Sequence, residues 1–237
     1  MSQNLNVLTF RNKNLHDKPL LNLFINNEQI SEKVFAKYLG VLFDNKLTWK
    51  YHLDHVASKI VKNNGLLSKI MHFIPSNKIK LIYNALIQPH LDYGSLCWSS
   101  ASKTNLTVIE KLQNRSIRII NFKKKQESSK PLYKDLEILP LNENTILNQS
   151  KFIWKYVNSK QPPSINDEFE KSNVYISTFF HDDKKLNLPS KRTDYGLSSL
   201  FYSGVKVWNT FLNRDIRTVT SLNLLKKQTK TLLVNSL

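Results

Sequence analysis

Along the chain, apolar positions alternate in part with a period of two at the start and recur at helical spacing over most of the remainder. Residues 5–10 (Leu-Asn-Val-Leu-Thr-Phe) read as a short strand, residues 11–14 as a polar turn and residues 20–25 as a second strand. Asn26-Asn27 suits a hairpin turn, and Gln29-Ile30 followed by residues 34–43 continues the sheet. A small antiparallel β unit is expected before residue 48. Few strands with no covering helix bury little, so the unit leans on something else.

Thr48, preceded by Leu47, is the expected N-cap of a long helix. Leu53, Val56, Ala57, Ile60, Val61, Leu67, Ile70 and Met71 fall on its apolar face, and Asn63-Asn64-Gly65 is a candidate kink. Pro75-Ser76 opens a second helix, with Ile79, Ile82, Tyr83 and Leu86 inward, and Pro89 ends or kinks it. Residues 90–98, around Gly94, read as a short buried helix. Ser102 caps a third long helix reaching about Asn121, with Leu106, Ile109, Leu112, Ile119 and Ile120 inward. Short connections predict an antiparallel bundle.

Residues 126–130 form a polar linker. Residues 131–141 predict a short helix ended by Pro140, and residues 143–159 a longer one stopped by Pro162-Pro163. Residues 164–185 read as irregular, 186–195 as loop and 197–208 as helix or strand. Ser221 caps a terminal helix carrying Leu222, Leu225, Leu232 and Leu233. The fold class is mainly α with a small N-terminal antiparallel β unit (α+β). A helical bundle is followed by a mostly helical C-terminal region, divided as 1–48, 49–125 and 126–237.

Composition sharpens this picture. The 237 residues are 41% hydrophobic, enough for a core, and hold five glycines, too few for a sandwich, a propeller or a Gly-rich nucleotide loop. Lys plus Arg number 35 against 18 Asp plus Glu, a net charge of +17 that points to a polyanionic partner. Residues 54–130 hold 13 Lys or Arg against 4 Asp or Glu. Lys111, Arg115 and Arg118 share one stripe of the third helix, and Lys123-Lys124-Lys125 follows at its C-terminal end. There a helix dipole favours cations even without a ligand. The single cysteine, Cys97, excludes an internal disulfide and reads as a small buried hydrophobe. Residues 1–6 lack a basic n-region and an apolar h-region, and no stretch is apolar enough to span a bilayer. A nuclear or cytoplasmic location is expected, not secretion.

The stretch 37–50 (Lys-Tyr-Leu-Gly-Val-Leu-Phe-Asp-Asn-Lys-Leu-Thr-Trp-Lys) holds Gly40 amid apolar residues. A strand glycine marks a bulge or a close approach of another backbone, and a hairpin glycine is the plainer alternative. Tyr38-Leu39-Gly40-Val41 and Leu47-Thr48-Trp49-Lys50-x-His52 resemble the end of the polymerase core in reverse transcriptases of jockey-like non-LTR retrotransposons. So do Tyr83-Asn84-Ala85-Leu86-Ile87-Gln88-Pro89-x-Leu91-x-Tyr93, Trp98 and Leu112-Gln113-Asn114-Arg115-x-Ile117-Arg118-Ile119-Ile120. Leu136-x-Ile138-Leu139-Pro140-Leu141, Leu188-Pro189, Arg192-Thr193-x-Tyr195-Gly196 and Val207-Trp208-Asn209 follow in the family's order. The family usually has proline near Leu212-Asn213, so that turn is altered here.

The resemblance implies the C-terminal part of such an enzyme: the palm edge with a primer-grip-like strand (1–48), the thumb (49–125) and the C-terminal region (126–237). It implies that Tyr38, Leu39 and Gly40 hold a primer end. Lys59, Lys62, Lys111, Arg115, Arg118, Lys123 and Lys124 are the candidate contacts to the backbone of an RNA–DNA hybrid or duplex. The family's catalytic aspartates precede the Tyr-Leu-Gly strand in an aromatic-Ala-Asp-Asp motif, where they bind Mg²⁺. Phe180-His181-Asp182-Asp183 lies far downstream in a polar stretch and reads as a solvated loop. No catalytic residue or metal ligand is therefore assigned. No cofactor is expected in this chain, Mg²⁺ belonging to the intact polymerase, and a fingers–palm half is a candidate partner. His52 and His55 lack further ligands for zinc and read as structural or phosphate-facing. The functional expectation is a truncated RNA-directed DNA polymerase contributing template–primer binding. The alternatives are a non-catalytic basic helical nucleic-acid-binding protein and an interaction module completing a catalytic core in trans. An anionic membrane surface fits less well, because no helix pairs the lysines with an aromatic insertion face.

Overall fold

The computed structural model describes residues 6–10, 22–25, 27–171, 174–176 and 184–237. Six short strands open the chain: β1 Asn6–Val7, β2 Phe24–Ile25, β3 Glu28–Gln29, β4 Ser31–Glu32, β5 Phe35–Tyr38 and β6 Val41–Asp44. They form three two-stranded ladders. β2–β3 and β5–β6 are antiparallel hairpins, whereas β1 and β4 pair in parallel, Asn6 opposite Ser31 and Val7 opposite Glu32. The parallel pair departs from the all-antiparallel expectation. A complete hairpin lies between β1 and β4, and β4 leaves it in the direction of β1.

Helices occupy most of the chain after β6: α1 Lys50–Ile70, α2 Ser76–Leu86, α3 Gln88–Asp92, α4 Ser95–Trp98, α5 Lys103–Ile120 and α6 Lys130–Asp135. Then come α7 Leu141–Val157, α8 Pro163–Lys171, α9 Asp194–Ser198, α10 Leu200–Thr210, α11 Arg214–Arg217 and α12 Leu222–Asn235. The chain is mainly helical with a small N-terminal β unit, as its patterning requires. α2 returns antiparallel to α1, the Asn63 amide reaching the Leu86 carbonyl at the far end of α2. α5 runs parallel to α1. Asn105 donates to the Thr48 carbonyl at one end (3.3 Å), and Asn64 to the Leu112 carbonyl further along (3.1 Å).

Several local expectations change. Asn63-Asn64-Gly65 does not break α1, which is continuous, and both asparagines bond across to neighbouring helices. Val61 is exposed rather than inward. Thr48 is not the cap of α1. The Asp44 carboxylate accepts from the backbone N–H groups of Lys46, Thr48 and Trp49 and from the Thr48 hydroxyl, at 2.7–3.2 Å. Ser102 does cap α5 (3.4 Å from the Asn105 N–H), but Ser221 makes no side-chain bond to α12. Residues 163–171 are helical, not irregular, and bury Phe169. Cys97 is at the surface, because Trp98 takes the inward position of the single-turn α4.

The first core gathers the inner faces of α1, α2, α3 and α5 around Ile60, Tyr83, Trp98 and Ile109. Leu132, Tyr133, Ile138 and Leu141 belong to the same core, so packing is continuous across residue 126. A second core joins α7, α8 and α10 around Trp154, Phe169 and Trp208. All four indole N–H groups are bonded within the protein: Trp49 to Ser100, Trp98 to the Tyr93 carbonyl, Trp154 to that of Val219 and Trp208 to that of Lys184. These tryptophans hold the fold and leave any stacking to other aromatics. No helix among the described residues is long and apolar enough to cross a membrane.

Candidate nucleic-acid interface

The β5–β6 hairpin turns on Leu39 and Gly40, both at positive φ (45° and 82°), the backbone of a tight two-residue turn. Gly40 is therefore a hairpin glycine, not the middle of a strand. The position also lacks room, because a Cβ there would lie 3.2 Å from the Tyr93 ring. Tyr93 donates its hydroxyl to the Leu39 carbonyl. The contact is reciprocated at Gly94, where an added Cβ would lie 3.0 Å from the Val41 side chain. Turn and α3–α4 corner are thus fitted glycine to side chain from both sides. Tyr38 and Leu39 project from the tip, 67% and 74% exposed.

The same hairpin is fastened to α1. Phe35 stacks on Tyr51 (centroids 4.6 Å apart), and Phe43 packs at a tilt on Trp49 (5.3 Å). The Leu42 N–H donates to His52 Nδ1 (3.3 Å). His52 is buried, and its Nε2 has no partner among the described residues. Its role is structural, the first of the two alternatives the sequence left open. Beside it is a cavity of about 120 Å³ lined by Gly40, His52, His55, Lys59, His90 and Tyr93. Lys59 thus stands against the hairpin turn, while Lys62, one turn on, is exposed on α1.

Burial, then the neighbouring His55, holds His52 below the ordinary histidine pKa. Burial, then the Lys59 ammonium and His55, does the same to His90. A histidine kept neutral in the fold but protonated when unfolded makes stability rise with pH. This stabilisation is complete above the unfolded pKa of about 6.5 and is lost as pH falls through the lower folded values. Stability measured by urea unfolding should decline from pH 7 to pH 5. His52→Gln should flatten the decline, and an unchanged profile would remove His52 from the linkage.

On α5, Lys111 and Arg115 are exposed. Arg118 is turned back, its Nε donating to the Glu127 carbonyl at 2.7 Å. Lys123 pairs with Glu127 (3.1 Å), and the Lys124 N–H donates to the same carboxylate (2.8 Å). The Lys124 N–H and then Lys123 hold the Glu127 carboxyl below the ordinary range. Arg118, Lys123 and the Lys124 backbone therefore close the loop after α5, while the side chains of Lys59, Lys62, Lys111, Arg115 and Lys124 have no ion-pair partner among the described residues. Among the described residues no group of three His, Cys, Asp or Glu could share a metal ion. The stretch Phe180-His181-Asp182-Asp183 lies outside the described residues.

The later motifs have structural duties. Thr193 caps α9 by accepting from the Gly196 N–H (3.1 Å), and Tyr195 donates to the Lys46 carbonyl (3.0 Å), fastening the C-terminal half beside the hairpin. Sequence reasoning missed Asp44, Tyr93 and Asn64 as positioning residues. The signal was present for Asn64, an amide set at a core position of an apolar stripe.

No family model and no solved structure matches the chain. Curated proteins do. The chain is 33% identical over 101 residues (41% of this chain, 11% of the relative) to the RNA-directed DNA polymerase from mobile element jockey of Drosophila funebris. It is 27% identical over 134 residues (55% of this chain, 15% of the relative) to the "Probable RNA-directed DNA polymerase from transposon X-element" of Drosophila melanogaster. It is also 27% identical over 128 residues (50% and 13%) to the jockey polymerase of Drosophila melanogaster. The matched stretches thus span 11–15% of these relatives. Together with the order of its own motifs, they make this chain similar to the RNA-directed DNA polymerases of jockey-like non-LTR retrotransposons.

Proposed function

We propose that residues 1–237 are the palm-edge hairpin, thumb and C-terminal region of such a polymerase, and that they hold a template–primer by its backbone. One observation carries this reading. The exposed Tyr38-Leu39-Gly40 tip is docked by Tyr93 beside Lys59, on the helix that also exposes Lys62 and packs against the helix exposing Lys111 and Arg115. The tip would meet the primer end, and the four cations the phosphates. Residues 1–237 contain no aromatic-Ala-Asp-Asp motif, so synthesis requires a fingers–palm half and its Mg²⁺-binding aspartates. The apolar side chains exposed on the β unit, among them Phe24, Ile25 and Val34, suit contact with that half.

Binding of the purified chain to an RNA–DNA hybrid should be sequence-blind and fall steeply with salt. Four phosphate contacts give a log–log slope near −3.6, roughly a hundredfold loss of affinity between 50 and 200 mM salt. Replacing Lys59, Lys62, Lys111 and Arg115 together by alanine should remove nearly all of that slope, about 0.9 per contact. An unchanged slope would reduce the stripe to a solvated face. The second reading, a non-catalytic nucleic-acid-binding protein, makes the same binding prediction. It differs in that adding a separately expressed fingers–palm fragment restores no synthesis.

A further inference from the structure

Away from α1 and α5, a second basic cluster closes on itself. α2, α7 and α12 face one another across a cavity of about 260 Å³, and each contributes lysine to its wall. Lys80 comes from α2, Lys151 from α7, and Lys226 and Lys230 from successive turns of α12. Lys80, Lys151 and Lys230 are half-buried, an uncommon state for lysine, and only Lys226 is freely exposed. Two carboxylates stand nearby. Asp92 already accepts from the amides of Asn144 (2.7 Å) and Gln88 (3.0 Å), and Glu137 is a distant, solvated partner of Lys80 (3.8 Å). Four ammonium groups thus outnumber two carboxylates around one partly open space, and among the described residues only Lys151 of the four has a close partner, donating to Asn148 Oδ1 at 2.8 Å.

We propose that this cavity binds the terminal phosphate groups of an oligophosphate, inorganic pyrophosphate being the simplest. Like charges one helical turn apart repel, so Lys226 and Lys230 are unfavourable neighbours until an anion lies between them. Burial above all holds Lys151 and Lys230 below the ordinary lysine pKa, with Lys226 adding to it at both and Asp92 and Glu137 opposing it. A space of about 260 Å³ suits linked phosphates and is too small for paired strands. Two sources share this chemistry: a free oligophosphate and the phosphorylated 5′ end of a strand. The inference is independent of the template–primer reading, which uses other residues on α1 and α5.

The test uses the full 237-residue chain and pyrophosphate, followed by calorimetry and thermal melting. Saturable binding is expected, with Tm rising about 5–10 °C at a hundredfold excess over Kd. Lys151→Gln with Lys230→Gln should weaken pyrophosphate at least tenfold. Lys226→Gln alone, at an exposed position that cannot disturb packing, should weaken it about threefold. Lys206→Gln with Lys227→Gln, on exposed faces outside the cavity, removes equal charge and should leave affinity within twofold. Absence of saturable binding, or equal loss in the control pair, overturns the proposal. A tenfold preference for a 5′-phosphorylated over a 5′-hydroxyl oligonucleotide assigns the strand end, and no preference assigns the free oligophosphate. Hybrid binding through Lys111 and Arg115 should be unchanged in the Lys151/Lys230 variant, so either reading can fail without the other.

Discussion

Asp44→Ala should cost about 3–4 kcal/mol of stability and lower Tm by roughly 10 °C. The carboxylate is 3% exposed and collects four donors, with Trp49 N–H at 2.7 Å and Thr48 N–H at 2.9 Å the shortest. Hydrogen bonds to a charged acceptor contribute more than neutral ones, and their loss strands amides that water reaches poorly. These amides occupy a strained corner, Leu47 and Trp49 both holding positive φ (50° and 63°). Without the acceptor, the corner has no reason to stay in that conformation. The consequence is functional as well, because the corner carries the chain from β6 into α1 and, with the Tyr93 and His52 contacts, fixes the exposed hairpin tip relative to Lys59. Asp44→Asn keeps one oxygen acceptor and should lose about half as much. Denaturant unfolding and hybrid affinity, measured on both variants, check this. A stable Asp44→Ala protein would mean that the aromatic packing of Phe43 on Trp49 holds the corner unaided.

What the sequence disclosed tracks the range of the interactions involved. α1 and α5 were legible because their apolar positions recur locally and Ser102 caps its own helix. The hairpin reading of Gly40 was legible too, but its docking was not, because the partner, Tyr93, is 54 positions from the carbonyl it binds. Trp49 holds the cap position, but Thr48 looked like the cap since it is a hydroxyl residue just ahead of the apolar helical pattern. Asp44 outcompetes it because a carboxylate a few residues back can reach three amides at once. α8 was hidden by Pro162-Pro163, read as a stop. Proline also suits the first turn of a helix, and Pro163 begins α8. Of the basic stripe, Lys111 and Arg115 are exposed, as their spacing off the apolar face predicts. Whether Arg118 faces solvent depended on where Glu127 falls in the following loop, which spacing along a helix does not encode.

Asn64→Asp should be the most damaging single change in the first core, at about 4–5 kcal/mol, against about 3 kcal/mol for Asn64→Ala. Asn64 is fully buried between α1 and α5. Its amide N–H donates to the Leu112 carbonyl (3.1 Å), and its oxygen accepts from the Ser116 hydroxyl (2.7 Å), which also donates to Leu112 (3.0 Å). Alanine removes both bonds between the helices and leaves a cavity, the Ser116 hydroxyl falling back on the Leu112 carbonyl of its own helix. Aspartate keeps the acceptor for Ser116 but sets an oxygen against the Leu112 carbonyl and brings a buried charge with no cation beside it. Asn64→Leu, which removes the polarity and fills the space, should recover part of the loss. The ranking Asp worse than Ala, and Ala worse than Leu, distinguishes a polar lock from a helix interruption, for which alanine would stabilise α1. Because Lys62 on α1 and Lys111 and Arg115 on α5 lie within a turn of this lock, Asn64→Ala should also weaken hybrid binding without removing any cation. Retained affinity in a destabilised Asn64→Ala protein would mean that the two helices contribute their cations independently.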